Sequence, residues 1–131
     1  MYLERAEEIL QKHGWSGLRS PALLVEMWEQ FIEACEAGYA WGLEEFDEDV
    51  AVRGAIEALL NDDTLQSIPE FSEVVIVMDY LDKRLRTIIR NDVVRPDKVN
   101  WWESLVLRYA SQAYALGIQA AHGFDVDVRN V

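Results

Sequence analysis

The sequence has a single cysteine, Cys35, so no disulfide within the chain can staple the fold, and a secreted disulfide framework is excluded. It has two histidines, His13 and His122, and no Cys/His cluster of the kind zinc requires, so no metal site is expected. No apolar run approaches the roughly 18 residues needed to cross a membrane. The opening Met-Tyr-Leu-Glu-Arg-Ala-Glu-Glu has no basic region followed by an apolar one, and a cytoplasmic protein is expected from it. There is no glycine-rich loop to cradle phosphate and no Asp-x-Asp-x-Asp-Gly calcium loop, so neither a cofactor nor a reaction centre is expected. Base is scarce too. Twelve Lys and Arg stand against 24 Asp and Glu, a net charge of −12, which makes a nucleic-acid backbone a poor first partner.

What is present is enough for one folded domain over residues 1–131. Half the residues are hydrophobic, and five Trp, five Tyr and four Phe argue against general disorder. The charge is unevenly spread. Residues 22–82 hold 16 acids and a single base, Arg53, whereas residues 83–108 hold seven bases and three acids.

Apolar spacing is helical almost throughout. A first helix is expected over Tyr2–His13, with Leu3, Ala6, Ile9 and Leu10 inward and Gly14 as its stop. Ser20-Pro21 opens a second as N-cap and first-turn proline, and Gly38 ends it. Its inner face is Leu24, Met27, Trp28, Phe31, Ile32 and Cys35. A third starts at Asp47 or Asp49 and runs to Asn61, with Val52, Ala55, Ile56, Leu59 and Leu60 inward. A fourth spans about 69–90 on Phe71, Val74, Met78, Leu81, Leu85, Ile88 and Ile89, with Lys83, Arg86 and Arg90 sharing its outer face with Asp79. Asn100 and Glu103 look like a capping box opening a fifth helix that runs to Ala121. That helix is apolar nearly all round, with Ala113, Gly117 and Ala120 allowing close approach. The tail from Phe124 to Val128 alternates as a short extended segment. The expectation is an all-α, single-domain bundle of about five helices around a central C-terminal helix.

The candidate site follows the charge. Glu26, Glu29, Glu33 and Glu36 share the side of the second helix opposite its apolar face. Glu44, Glu45, Asp47, Glu48 and Asp49 surround Phe46, just after Tyr39 and Trp41, and Asp62 and Asp63 follow the third helix. A charged stripe is also what an ordinary solvated helix face looks like. However, natural surfaces intersperse signs, and like charges at i, i+3 and i+4 repel by a few tenths of a kcal/mol per pair. Attraction to a basic protein partner would offset that repulsion. Phe46 would be either an apolar anchor inside the charged rim or a core residue beside Trp41. Weak self-association, with the acidic middle meeting Lys83, Arg84, Arg86 and Arg90 of another copy, is a further expectation.

Two resemblances attach to these features. Glu26-x-x-Glu29 followed by Glu44-x-x-Asp47 resembles the metal-binding signature of the MazG-like, all-α nucleotide pyrophosphohydrolases. The resemblance implies inward-facing carboxylates holding Mg²⁺ on a triphosphate. Glu26 and Glu29, however, fall on the side away from the expected core. The whole profile (small, acidic, helical, no catalytic constellation) resembles bacterial immunity proteins of the contact-dependent-inhibition and colicin types. That resemblance implies a non-enzymatic, one-to-one complex with a toxin domain, often a basic nuclease, reached by electrostatic steering and occlusion. A phage-type nucleic-acid mimic would show the same charge.

Overall fold

A computed structural model describes residues 2–15 and 20–129. Among them the chain forms seven helices and two short strands: α1 (Tyr2–Lys12), α2 (Pro21–Glu36), α3 (Leu43–Leu60), α4 (Asp63–Gln66), α5 (Phe71–Arg86), α6 (Trp101–Ser104), β1 (Tyr109–Ala110), α7 (Gln112–His122) and β2 (Asp127–Val128). The protein is mostly helical, and no described helix is long and apolar enough to cross a membrane.

Local chemistry sets most of these boundaries. Ser20 Oγ accepts from the Leu23 N–H, with Pro21 in the first turn of α2. Gly14, Gly38 and Gly123 take the positive φ that lets the chain turn away after α1, α2 and α7. Leu3 departs from expectation: it is 57% exposed, and α1 buries only Ala6, Ile9 and Leu10.

The third helix begins earlier than expected. Glu45 reaches back to the Gly42 N–H at 2.8 Å, which ties down the first turn. The helix therefore starts at Leu43, and not at Asp47 or Asp49 as expected. That shift makes α3 the centre of the bundle, because it touches α1, α2, α4, α6 and α7. Its buried residues, from Phe46 to Leu59, cover roughly 220° of its circumference, so it needs neighbours on several sides.

The expected helix over 100–121 is interrupted. Asn100 stands at the start of a helix, α6, of only four residues, but forms no capping box: its side chain makes no cap hydrogen bond and its amide donates to Glu103 Oε1 at 2.6 Å. The chain then runs extended, and its main-chain groups are satisfied elsewhere. The Arg90 N–H donates to the Val106 carbonyl, Arg108 to Ile88 and Ser111 to Tyr39. Ser111 then caps α7 through the Tyr114 N–H. The C-terminal tail supplies the missing strand partner, with Tyr109 and Ala110 pairing in parallel with Asp127 and Val128. The fourth helix ends at Arg86, so Arg90 lies beyond its outer face, and Ile89 forms a bridge with Leu107. The close approach foreseen for Gly117 exists: a Cβ there would lie 2.8 Å from Leu43 Cβ.

The core centres on an aromatic group that joins four parts of the chain. Phe46 of α3 lies 5.5 Å from both Phe31 and Tyr39 and 5.2 Å from Tyr114, and all four rings are buried. Tyr114 also accepts the Leu107 N–H, which pins the extended stretch onto α7.

Candidate functional site

Arg53, the single base of the acidic block, is an internal residue. Its guanidinium grips Asp82 of α5 through two nitrogens, at 3.2 and 2.9 Å, and reaches Glu57 at 2.8 Å. It also sits 4.8 Å from the Trp102 ring, while Asp82 accepts the Trp28 indole N–H at 3.0 Å. Only 5% of the Arg53 side chain is exposed. The residue that would have moderated the acidic surface is thus spent in the core, where it locks α2, α3, α5 and α6 together.

The carboxylates of the candidate site then divide by what holds them. Glu36 takes both ends of Arg84 at 2.9 and 2.7 Å, and Glu29 lies at 3.9 Å from the same guanidinium. Asp47 binds Arg95, which is buried and also contacts the His122 ring and the Glu103 carbonyl. Asp62 caps α4 through the Leu65 N–H and takes a bidentate grip from Arg5. Asp49 accepts the Tyr39 hydroxyl at 2.6 Å, and Glu45 is occupied by its cap. Phe46 is 0% exposed, which corrects its reading as an anchor for a partner: its flanking carboxylates point outward while its ring fills the core. Glu26, Glu33, Glu44, Glu48 and Asp63 are exposed and have no ion pair among the described residues. Asp63 stands with Asp62 at the far end of α3, some 20 Å along the helix from Glu48, so these two do not extend the same patch.

Two carboxylates of α3, Glu48 and Asp49, border a groove. Between α2 and α3 lies an open cavity of about 340 Å³. Buried Phe31, Tyr39 and Val52 form its floor, and Gln30, Glu48, Asp49 and the 62%-exposed Trp41 stand at its rim. Gln30 donates to Glu26 one turn before it on α2, and Glu33 follows three residues after, so α2 contributes a second acidic edge. The helical start of α3 is what brings Glu48 and Asp49 to this groove. That start was not legible in the sequence, although Trp41 beside a carboxylate run was a visible signal.

No protein-family model matches the chain, and no curated protein or solved structure is significantly similar to it. The groove therefore has to be read from its own chemistry.

That chemistry is acceptor-rich and aromatic. It suits guanidinium and ammonium groups, which carboxylates bind by charge and a Trp face binds by its quadrupole. It does not suit a nucleophilic reaction. Cys35 is fully buried, and burial pushes its thiol far up. Tyr39 is likewise pushed up, by burial first and by its bond to Asp49 second. The four carboxylates of the pyrophosphohydrolase pattern do not converge. Asp47 is taken by Arg95, Glu26 points outward, and no group of three or more His, Cys, Asp or Glu among the described residues is placed to hold a metal ion. Trp101 is half-buried under Arg86, 4.3 Å from its ring, and packs edge-on against Trp102.

The paired carboxylates leave an acid-labile signature. Hydrogen bonding from Arg5 holds Asp62 below the ordinary range, as Arg84 does Glu36. A carboxylate with a depressed folded value contributes stability above its unfolded value, near pH 4, and loses it as pH falls through the folded value. Asp62→Asn keeps the cap and removes the charge. It should cost about 1 kcal/mol at neutral pH, and the difference from the unaltered protein should begin to shrink below about pH 4 and vanish once the pH has fallen through the lowered folded value, in urea titrations. A pH-independent difference would mean that the Arg5 pair contributes nothing.

Proposed function

We propose that this protein is a non-enzymatic binding protein whose α2–α3 face captures a basic protein partner, with an immunity protein that occludes a toxin domain as the best-fitting role. One observation carries the reading: the only base between residues 22 and 82 is buried, and Glu26, Glu33 and Glu48 are exposed with no ion pair among the described residues. Such a face costs the fold through self-repulsion, and attraction to a cationic surface would offset that cost. The field would speed encounter, while Trp41 and the groove floor supply the short-range fit. A basic nuclease domain would present the complementary surface, because its cleft is built to attract phosphate.

The test uses a partner captured by tagged pull-down from the native host and then purified. The informative variant reverses Glu26, Glu33, Glu44 and Glu48 to Lys together, because these have no ion pair to break among the described residues. Reversing Glu36 or Glu45 would confound the result by releasing Arg84 or uncapping α3. The reversal should slow association by about tenfold or more at low salt and leave dissociation nearly unchanged, measured by stopped flow. An unchanged association rate at low salt, with a gain in thermal stability, would show that the acidic face serves solubility alone.

A further inference from the structure

α5 carries an apolar strip that stands open to solvent. Ile76 is 68% and Tyr80 60% exposed, and Val75 and Val77 are exposed beside them. At helical spacing Glu73, Ile76, Tyr80 and Lys83 form one outward stripe, opposite the buried Phe71, Met78, Leu81 and Leu85. The stripe has a direction: acid at its N-terminal end, apolar in the middle, base at its C-terminal end. Turned end for end, it is its own complement. Positions 73 and 83 are equidistant from 78, and so are 76 and 80. A two-fold axis crossing the stripe midway between Ile76 and Tyr80, level with position 78, therefore sets Glu73 against Lys83 of a second copy and Ile76 against its Tyr80, each contact made twice.

We propose that α5 is a self-association surface on which two copies of this chain pair antiparallel, with Ile76 and Tyr80 at the apolar centre and Glu73–Lys83 ion pairs closing both ends. The strip carries charges of both signs, Glu73 and Asp79 with Lys83, unlike the α2–α3 groove, so it does not select a basic partner. Lys83 already bonds its own Asp79 at 2.8 Å, but its side chain is 73% exposed and has further donors for a second carboxylate. The neighbouring bases are committed within the chain, Arg84 to Glu36 and Arg86 over Trp101. Beside the strip opens a cavity of about 510 Å³, walled by Leu60, Phe71, Val75 and Ile76, and the second copy's Tyr80 ring would lie over Ile76 at its mouth. A pair of 16-residue helices, each about 24 Å long, covers on the order of 1,000 Å², the low end of specific interfaces, so the dimer is weak and reversible. The net charge of −12 on each copy opposes approach at long range. Near 0.15 M salt that repulsion is screened beyond about 8 Å, while contact-range pairs persist.

Sedimentation equilibrium of the full chain, from about 10 µM to 1 mM in about 0.15 M salt, tests this. The unaltered protein should show a reversible monomer–dimer equilibrium, and Ile76→Asp should weaken it by about tenfold or more. Glu73→Lys and Lys83→Glu should each weaken it several-fold, because each places like charges at both ends. The combined Glu73→Lys/Lys83→Glu chain should dimerise about as well as the unaltered one, since the swap restores both pairs. All three positions are exposed, and unchanged circular dichroism would exclude unfolding as the cause of any loss. The proposal is overturned if the unaltered chain stays monomeric across the range, if Ile76→Asp leaves the dimer intact, or if the double swap dimerises no better than the single changes.

Discussion

Asp82→Ala is expected to lower stability by roughly 3–5 kcal/mol in urea unfolding, more than its partly exposed position on α5 would suggest. The reason is what the change leaves behind. Arg53 stays buried with its bidentate partner gone, Glu57 cannot reach both sides of the guanidinium, and the Trp28 indole N–H loses its acceptor. Asp82→Asn retains an acceptor but not the charge, and should fall between the two. Replacing the pair together, Arg53→Met with Asp82→Leu, should recover most of the loss, because the penalty is an orphaned charge and not a missing contact. A loss below about 1 kcal/mol for Asp82→Ala would mean that water reaches the guanidinium and that the network does not hold α2, α3, α5 and α6 together.

Phe46→Ala should be of similar size, about 3–5 kcal/mol, by opening a cavity among Phe31, Tyr39 and Tyr114. It also separates two views of this residue. As a core ring it is removed at the cost of global stability, and near-ultraviolet dichroism should weaken as the aromatic group loosens. Phe46→Leu, which keeps most of the volume, should retain more than half of the lost stability. As a surface anchor, its removal would leave unfolding untouched and speed only the dissociation of a partner. A stability change within about 0.5 kcal/mol would contradict the buried position.

The same residue shows where sequence reading succeeds and where it stops. Phe46 among five carboxylates admits both a core and an anchor role, because local composition does not say which way a ring points. Once α3 begins at Leu43, helical phase aligns Phe46 with Val50 and Arg53 toward the core and turns Glu44, Glu45, Glu48 and Asp49 outward. The signal for that early start was Glu45 three residues after Gly42, a capping pattern obscured by neighbouring acids that match the same spacing. The exposed strip on α5 was not legible: five consecutive apolar residues, Val74 to Met78, face several ways on a helix, and only the packing leaves Val75, Ile76 and Val77 open to solvent.

The sequence by itself determined the helical class, the starts and stops carried by Ser20-Pro21, Gly14 and Gly38, most of the inward residues of α2 and α5, and the acidic bias of the middle of the chain. These are local properties, set by period, by capping chemistry and by counting charge. Tertiary structure alone decided three others. It buried Arg53, which withdrew the one base of the acidic segment from the surface. It assigned Glu36, Asp47 and Asp62 to bases at least 48 residues away or, for Asp62, 57 residues away, withdrawing them from the face they were expected to join. It also interrupted the helix expected over 100–121, because the main chain there found partners in residues 88–90, in Tyr39 and in the C-terminal tail. Each of these depends on groups distant in sequence meeting in space, and a local pattern carries no information about a partner it does not contain.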